Sequence, residues 1–445
     1  MQSIWTEHIQ MPEFPKLDSD IRTKVLIIGG GMTGILCAYF LHREGVDYCL
    51  LEQADIGGGT TCGTTAKITV LQGAIYDRLL KKEGMETAAL YLKATEQAKK
   101  QYRALGHQVD CDMEEKDAYL YARTDRGLLE RELTAIERLG HPAEFVEQTK
   151  LPFETAGALC CRNQLQFHPL KFMAKLAEGL HIYEQTKVKE MTEYFAVTEN
   201  GSVAAEKVIV ATHFPFLNTR GSYYLKLYQQ RAYVVALRNA PDVDGMYMDA
   251  VPGGLSFRNA GELLVVGGKS HRTGTAVFRD EKGKKSICGM KAFEQEIRQL
   301  YPQTELAAVW AAQDCMSLDG VPYIGRYSAH TPDLFVAAGY NKWGMTGSMI
   351  AAQILCDLVQ ERENEFSHIF SPSRSILKSQ LAKNIGSAAK GMLNLWGKKR
   401  CSHMGCVLKW NREEQVWECP CHGSRFDKEG EVLDNPAMKR IKNKT

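Results

Sequence analysis

The chain has 445 residues, which is enough for roughly two to four domains and a large hydrophobic core. With 55 basic and 53 acidic residues its net charge is +2, so the charge favours neither nucleic acid nor an anionic membrane as a partner. No run of about 18 apolar residues predicts a transmembrane helix, and the first residues lack the basic and apolar regions of a secretory signal.

The 13 cysteines fall into two groups. Those from Cys37 to Cys356 are scattered, without the regular spacing of a disulfide framework. This distribution suits a reducing compartment and predicts a cytoplasmic protein. The others cluster after residue 400, which predicts a separate small site there.

A dinucleotide-binding motif lies near the N-terminus. The apolar run Lys24-Val-Leu-Ile-Ile28 predicts a buried strand, and a glycine-rich turn and an apolar helix follow it. In such a turn Gly29 allows the sharp bend, Gly31 lets the backbone approach a diphosphate, and Gly34 lets the helix pack on the strand. Glu52 ends the next predicted strand, where its carboxylate can accept hydrogen bonds from a ribose. A glycine-rich turn without a ligand is the alternative, which the complete strand-turn-helix-strand context disfavours.

Further segments favour FAD over NAD. The loop 57–66 is rich in small residues, hydroxyls and backbone donors, and could line a diphosphate and a flavin ring. Together with Thr186-Lys-Val188, Val208-Ile-Val-Ala-Thr212, and the segment from Asp319 to Gly347, it resembles the D-amino-acid oxidase (glycine/sarcosine oxidase) superfamily of FAD enzymes. The resemblance covers roughly residues 22–360 and implies an α/β fold, in which a Rossmann-type FAD-binding domain is interleaved with an α+β substrate domain.

The resemblance also implies which residues contact the cofactor: Gly29, Gly31, Gly34, Glu52, Thr64, Thr65, Ala66, Val188, Gly339, Gly344 and Met345. In this family the N-terminus of the last helix faces the pyrimidine end of the flavin, where its partial positive charge stabilises the reduced ring. We expect FAD to be bound noncovalently. Cys315 lies near the position at which sarcosine oxidases attach the flavin, so a thioether at Cys315 is the alternative.

Cysteine and histidine pairs near the C-terminus form a second motif. Cys401-x-His403 and Cys419-x-x-His422 resemble the two cluster loops of Rieske proteins. The resemblance implies that the two cysteines hold one iron of a [2Fe–2S] cluster and the two histidines the other. It further implies a disulfide between Cys406 and Cys421, the positions that link the two loops in high-potential members of that family.

The stretch before Cys401 departs from the Rieske pattern, because it contains no obvious sheet. We therefore expect a small all-β C-terminal module that is shortened at its base. Two alternatives remain open: a zinc site made by the same residues, and a remnant that holds no cluster.

The sequence also indicates candidate catalytic residues. Lys269 and His271 follow the predicted strand Leu263–Gly268, and in related amine oxidases a histidine after a similar strand faces the flavin; a solvated loop is the alternative. Arg231 and Tyr233 lie in a strand that could contact a substrate carboxylate, or they belong to the surface and core of the sheet. Residues 341–343 could line the pocket.

We predict three regions: an FAD-dependent oxidoreductase in 22–365, a partly flexible linker with one helix in 366–397, and a Rieske segment in 398–445. The FAD-binding parts are about 22–80, 165–220 and 301–365. The predicted function is oxidation of a small amine or amino acid, with electrons passing from flavin to cluster and then to an acceptor that the sequence does not identify. Alternatives are an electron-transfer module without an organic substrate, and an FAD oxidase with a zinc-binding interaction module.

Overall fold

The computed structural model describes residues 2–217, 220–275, 277–279, 285–287, 289–393 and 399–443. A short 3-10 helix spans Ile4–Thr6. The α-helices are α1 (Met32–Arg43), α2 (Tyr76–Lys82), α3 (Gly84–Gly106), α4 (Arg126–Arg138), α5 (Pro169–Ala177), α6 (Tyr223–Lys226), α7 (Met290–Leu300), α8 (Gly344–Val359), α9 (Ser367–Phe370) and α10 (Ser379–Leu393).

The β-strands are β1 (Ile21–Ile28), β2 (Tyr48–Leu51), β3 (Lys67–Ile68), β4 (Glu114–Tyr121), β5 (Glu144–Val146), β6 (Ala158–Gln166), β7 (Ile182–Tyr183), β8 (Glu190–Met191), β9 (Phe195–Val197), β10 (Ser202–Val210), β11 (Tyr228–Arg238), β12 (Met246–Asp249), β13 (Ser256–Ala260), β14 (Leu263–Arg272), β15 (Val277–Arg279), β16 (Lys285–Ile287), β17 (Glu305–Met316), β18 (Tyr323–Arg326), β19 (Leu334–Ala338), β20 (Lys399–Arg400), β21 (Lys409–Asn411), β22 (Val416–Glu418), β23 (Arg425–Phe426), β24 (Val432–Asp434) and β25 (Lys442–Asn443).

A largely parallel sheet has β1 at its centre. Its main order is β18-β19-β10-β1-β2-β7, and β9 and β8 extend it beside β10. β1 pairs in parallel with both β2 and β10. Its apolar end is buried on both faces, as expected for a parallel strand between two layers, and α1 and α8 pack on one face. This sheet confirms the predicted Rossmann-type arrangement.

A second sheet carries the remainder of the oxidoreductase region. Its main order is β17-β11-β14-β13-β12-β4-β6-β3, with β5 paired to β6. The central pair β11 and β14 is antiparallel, and a buried cluster that includes Phe257, Phe293 and Ile297 joins the sheet to α7. Because the chain alternates between the two sheets, the α+β substrate domain is interleaved with the FAD-binding domain, as predicted.

The C-terminal module is small and built of β-strands. Strands β21 to β24 form an antiparallel sheet, and β20 pairs with β25. Its core includes the four cysteines of the motif together with Leu408, Phe426 and Ala437. Within residues 399–443, only the two-residue strand β20 precedes the first cluster loop, which agrees with the shortened base expected from the sequence.

The segment predicted as a partly flexible linker contains two helices, α9 and α10, where the sequence predicted one. α10 packs beside the module: Asn384 is buried, accepts a hydrogen bond from Arg272 at 3.1 Å and donates one to the carbonyl of Leu225 at 3.1 Å. The carbonyl of Gly391 accepts a hydrogen bond from the amide of Val407 at 3.1 Å. The helix therefore fixes the module against the oxidoreductase domain instead of serving as a flexible tether.

Buried polar contacts hold the module on the second sheet. Arg231 of β11 forms a two-pronged ion pair with Glu414, in which Nε lies 2.9 Å from Oε1, and both side chains are only 8% exposed. Glu414 also accepts a hydrogen bond from Arg425 at 2.7 Å. The amide of Gly274 donates to Glu418 at 3.0 Å. Because these charges are shielded from water, the pairing constrains how the module sits.

We predict that Glu414→Ala lowers the free energy of unfolding by about 3–5 kcal/mol, because it leaves the buried guanidinium of Arg231 without its carboxylate. Denaturant unfolding followed by near-ultraviolet circular dichroism measures this change. Glu429→Ala is the control: its partner Lys428 is 69% exposed, so the expected change is within about 0.5 kcal/mol. Equal losses in the two variants would show that the Arg231 pair does not anchor the module.

Candidate functional site

A cavity of 480 Å³ lies at the carboxyl end of β1. Its walls include the turn after β1, the end of β2, the loop 57–61 and the N-terminus of α8. In a doubly wound sheet this edge is where a dinucleotide binds, with its diphosphate at the N-terminus of the first helix. The position of the cavity is therefore the one that the motif predicts.

Glycine is required at each of the three positions of the motif for a different reason. Gly29 has a φ of +112°, and a Cβ there would lie 2.6 Å from the carbonyl oxygen of Ala211. A Cβ at Gly34 would lie 1.9 Å from the carbonyl oxygen of Gly29, so α1 could not pack on β1. A Cβ at Gly31 would meet only the hydroxyl of Thr61, at 3.5 Å, and would project into the cavity. Gly31 thus preserves space for a ligand, and this feature fits FAD.

Glu52 lines the same cavity from the end of β2. Its carboxylate accepts hydrogen bonds from the amides of Gly30 at 2.7 Å and Ala54 at 2.9 Å. Burial raises the pKa of Glu52, although these amides oppose the shift. The two contacts hold the carboxylate at the cavity wall, where a ribose hydroxyl would donate to it.

The other predicted FAD residues divide into two groups. The cavity walls include Thr64, Thr65, Val188, Gly344 and Met345. Gly34, Ala66 and Gly339 line neither this cavity nor the adjoining one. Ala66 accepts a hydrogen bond from Arg258 through its carbonyl at 2.8 Å, and Gly339 has a φ of +75°. These three predicted residues are therefore not part of either cavity wall.

A second cavity, of 570 Å³, adjoins the first. The two cavities share Thr64, Ala312, Asp314, Lys342 and Met345. The second cavity is lined mainly by the sheet that forms the substrate domain, including parts of β11, β14 and β17. A flavin ring at the shared residues would thus face a space large enough for a small organic substrate.

The charged side chains that line the second cavity differ in the partners that they have within the protein. Lys342 pairs with Asp314 at 3.0 Å, and Lys67 donates to the carbonyl of Tyr247 at 2.7 Å. Burial lowers the pKa of Lys67 well below its usual range. Arg78 also lines the cavity, and its buried Nε has no hydrogen-bond partner among the described residues. Among the described charged residues of this cavity, Arg78 alone has such a nitrogen, which could bind a ligand.

The helix that carries Arg78 is fixed at its start. The carboxylate of Glu132 accepts hydrogen bonds from the amides of Tyr76 at 2.8 Å and Asp77 at 2.9 Å, at the first turn of α2. Glu132 is fully buried, and this burial raises its pKa to about 7. Because the first turn is held, the side chain of Arg78 enters the cavity from a defined position.

The two residues predicted as catalytic lie outside both cavity walls. Lys269 pairs with Glu296 of α7 at 2.9 Å, and His271 is buried with Nδ1 3.0 Å from the carbonyl oxygen of Lys269. Neither residue lines either cavity, whereas Ser270 between them does. The ring of His271 instead lies 5.5 Å, between centroids, from the ring of Tyr233, which does line the second cavity.

Of the other residues considered from the sequence, some line a cavity and others point to the opposite side of their strand. Tyr233 lines the second cavity, as do residues 341–343, but Arg231 turns to Glu414 of the C-terminal module. Cys315 is buried in a core cluster and lines neither cavity, and burial raises the pKa of its thiol. Its neighbours Asp314 and Met316 face the cavity instead.

The Cys/His motif comes together at the tip of the C-terminal module. The thiols of Cys401 and Cys419 are buried and hydrogen-bonded, and this bond lowers the pKa of Cys419 to about 7. The rings of His403 and His422 lie 4.9 Å apart between centroids. Cys406 and Cys421 form a disulfide, and the sulfur atoms of Cys406, Cys419 and Cys421 lie within 4.8 Å of one another.

The histidines have the protonation state that a metal ligand needs. Burial lowers the pKa of His403 to about 4 and that of His422 to about 3, so both rings are neutral at pH 7. Nδ1 of His422 is buried and has no hydrogen-bond partner among the described residues. A buried neutral histidine nitrogen and two buried thiols in the same small module fit a cluster with mixed cysteine and histidine ligands.

Sequence reasoning missed several residues that line the cavities. Arg78 and His213 are isolated in the sequence, and each reaches its wall only through the tertiary fold. Leu433, Asp434, Asn435 and Met438 of the C-terminal module line the first cavity as well. No local pattern marks these residues, because their position depends on how the module docks.

Comparisons with known proteins agree with this geometry. The family model described as FAD dependent oxidoreductase matches residues 24–358, and that of the Rieske [2Fe-2S] domain matches residues 395–444. A relative from Bacillus subtilis (strain 168), named as a Rieske 2Fe-2S iron-sulfur protein YhfW, is 32% identical, and the match covers 99% of this chain and 97% of the relative.

Two further relatives each resemble one part of the chain. Glycine oxidase from Geobacillus kaustophilus (strain HTA426) is 24% identical over 80% of this chain and 98% of its own. A crystal structure of glycine oxidase from Geobacillus kaustophilus superposes with a TM-score of 0.66 and 22% identity, covering 80% of this chain and 99% of that chain. A cytochrome b6-f complex iron-sulfur subunit from Nostoc sp. (strain PCC 7120) is 49% identical over 41 residues, 9% of this chain and 23% of the relative.

No helix among the described residues is both long and apolar enough to span a bilayer. The match of the first family model extends over most of the sequence, and the second covers the segment that holds the Cys/His motif. The chain therefore belongs to the FAD dependent oxidoreductase family, with FAD as its cofactor, and its C-terminal module is a Rieske domain, whose cofactor is a [2Fe–2S] cluster.

Proposed function

We propose that this protein oxidises a small amine or amino acid at FAD and passes the electrons to the [2Fe–2S] cluster of the same chain. The observation that carries the proposal is a short path from the cluster loop to the wall of the first cavity, in which Gln313 is hydrogen-bonded to both. When bound, FAD accepts a hydride from the carbon next to an amine nitrogen, and the cluster accepts electrons one at a time.

Gln313 links the two sites. Its side-chain amide donates to the carbonyl of Gly423, next to the cluster ligand His422, at 3.0 Å. Its backbone carbonyl accepts a hydrogen bond at 3.2 Å from Thr60, which lines the first cavity. Gln229 supports the same loop by donating to the carbonyl of His422 at 2.9 Å. Both glutamines are buried, so water does not compete for these bonds.

A second contact runs through consecutive residues. His213 lines the first cavity, and the ring of the next residue, Phe214, lies 6.5 Å from the ring of His422 between centroids. The ring of Tyr224 lies at the same distance from the ring of His422. The proposed cluster ligand therefore packs against Phe214, whose neighbour His213 lines the first cavity, and this arrangement supports electron transfer within the chain.

Arg78 supports a substrate that carries a carboxylate. Its buried Nε has no hydrogen-bond partner in the described part of the chain, and a guanidinium binds a carboxylate through paired hydrogen bonds. We propose that Arg78 holds the carboxylate of an amino acid in the second cavity, so that the carbon next to nitrogen faces the flavin. The glycine oxidase relative has a substrate of this class in its name, which agrees with the proposal.

The proposal uses the predicted residues with their observed positions. FAD would contact Gly29, Gly31, Glu52, Val188 and Gly344, and the cluster would be held by Cys401, Cys419, His403 and His422. No catalytic role is proposed for Lys269 or His271. We keep the division into 22–365, 366–397 and 398–445, with α10 of the middle segment bracing the module. We place the reaction in the cytoplasm, which the eight free cysteines of the described oxidoreductase region support.

We predict that Gly31→Val abolishes FAD binding without unfolding the protein, because the new side chain fills cofactor space and meets little protein. The flavin absorbance of the purified variant measures the loss. Gly386→Val is the matched control: nothing lies within 4 Å of a Cβ at that exposed helical position. Acid precipitation of the wild type should release the flavin; flavin that stays with the pellet would refute noncovalent binding.

We predict that Arg78→Met raises KM for an amino acid substrate by roughly 10- to 100-fold, since a hydrogen-bonded charge contributes about 1.5–3 kcal/mol. Steady-state kinetics with glycine and with L-proline measure the effect. Methylamine, which lacks a carboxylate, should react equally slowly with the variant and the wild type. An unchanged KM for every amino acid tested would remove Arg78 from the binding site.

The whole proposal is tested by anaerobic reduction. Addition of glycine or L-proline should bleach the flavin and then produce the paramagnetic signal of the reduced cluster, because a histidine-ligated cluster has a relatively high potential. In the Cys401→Ser variant the flavin should bleach to the same extent. The variant should show no cluster signal and should reduce ferricyanide more slowly than the wild type. Cys160→Ser, at a buried cysteine far from the motif in sequence, should behave as the wild type.

Two outcomes would overturn the proposal. Zinc in place of iron and acid-labile sulfide in the purified protein would exclude electron transfer through the module. A loaded cluster that stays oxidised while the flavin is fully reduced would show that the two sites do not exchange electrons.

A further inference from the structure

Residues of the Rieske domain form part of the wall of the first cavity, where the dinucleotide motif lies. Leu433, Asp434, Asn435 and Met438 line the first cavity together with the glycine turn and Glu52 of the oxidoreductase domain. These four residues lie on β24 and in the segment just after it. The cavity that receives the cofactor is therefore closed by two domains.

The segment is fixed in this position from both sides. The side-chain amide of Asn435 donates to the carbonyl of Thr212 at 3.3 Å, and Thr212 lines the same cavity. The carbonyl of Asn435 accepts a hydrogen bond from buried Gln229 at 2.8 Å. Within the module, the amide of fully buried Ala437 donates to Ser424 at 3.0 Å. The segment thus belongs to the cavity wall and to the core of the module.

The charge of the segment suits an anionic ligand. Asp434 would oppose a diphosphate if its carboxylate were free, but it pairs with Arg425 at 2.9 Å. Arg425 is itself buried beside Glu414, at the ion pair that docks the module. The rim also carries an apolar side chain, Leu433, which is 45% exposed. Contact with a bound cofactor would remove the apolar surface of Leu433 from water, and this burial favours binding.

We infer that residues 433–438 of the Rieske domain are part of the FAD-binding site, so that FAD binding and docking of the module are thermodynamically linked. A ligand that contacts two docked domains binds the docked state more tightly than the undocked state, and it therefore stabilises docking. The reciprocal also holds: docking of the module raises FAD affinity by the same factor. This inference concerns cofactor retention and holds whether or not electrons pass between the sites.

Cofactor affinity in full-length variants tests the inference. Asn435→Ala removes a wall side chain and its bond to Thr212, and Met438→Ala removes apolar wall. We expect each to raise the FAD dissociation constant by about tenfold, measured by flavin fluorescence on reconstitution of the apoprotein. Lys428→Ala is the control: Lys428 is 69% exposed and does not line the cavity, so affinity should not change. Unchanged affinity in both wall variants would overturn the inference.

Hydrogen exchange in the wild-type protein gives a test that needs no substitution. Because linkage is reciprocal, FAD should slow amide exchange in peptides covering residues 432–438 when the apoprotein is reconstituted. Peptides covering the C-terminal end of α4, where Glu137 and Arg138 are exposed, serve as the internal control and should exchange equally with and without FAD. Equal exchange in 432–438 with and without FAD would show that the module does not respond to the cofactor.

Discussion

The contact between the C-terminal module and the second sheet is the constraint on which the proposed chemistry depends. Arg231 of β11 enters the module to meet Glu414, and Gln313 and Gln229 hold the loop that carries His422. All of these groups are buried, so each would be costly to leave unpaired. A module fixed in this way presents its cluster loop to one place on the oxidoreductase domain.

The same contact explains how so small a module can be ordered. Its own core consists of a few side chains around four cysteines, and a domain of this size buries too little apolar surface to be stable alone. The oxidoreductase sheet and α10 supply the support that additional strands would otherwise give. The shortened base noted in the sequence is therefore compensated by the neighbouring domain, and this view differs from two modules joined by a flexible tether.

The parts of the structure that follow from local sequence were predictable. The strand, turn and helix around Gly31 are contiguous, so their spacing alone identifies the dinucleotide cavity and places Glu52 beside it. The Cys/His pairs were equally visible, because metal ligands impose residue types at fixed spacing. The interleaved fold followed from the resemblance of several segments taken together.

What could not be predicted depends on strand register and domain docking. On β14, Ser270 faces the second cavity while Lys269 and His271 do not, and a shift of one residue would reverse this assignment. The sequence alone does not predict the register of a strand to within one residue. Arg78 and Asn435 reach the cavities from opposite ends of the chain, and only tertiary packing brings them there.

Outside the C-terminal module, which contains the disulfide between Cys406 and Cys421, the described cysteines are free thiols. Both cysteines of the disulfide are buried, and α10 covers the bond so closely that a Cβ at Gly391 would lie 2.5 Å from the sulfur of Cys421. Thiol exchange requires an attacking thiolate to reach one of the two sulfur atoms. α10 therefore shields this disulfide from an attacking thiolate, so that thiol exchange at Cys406 or Cys421 would be slow.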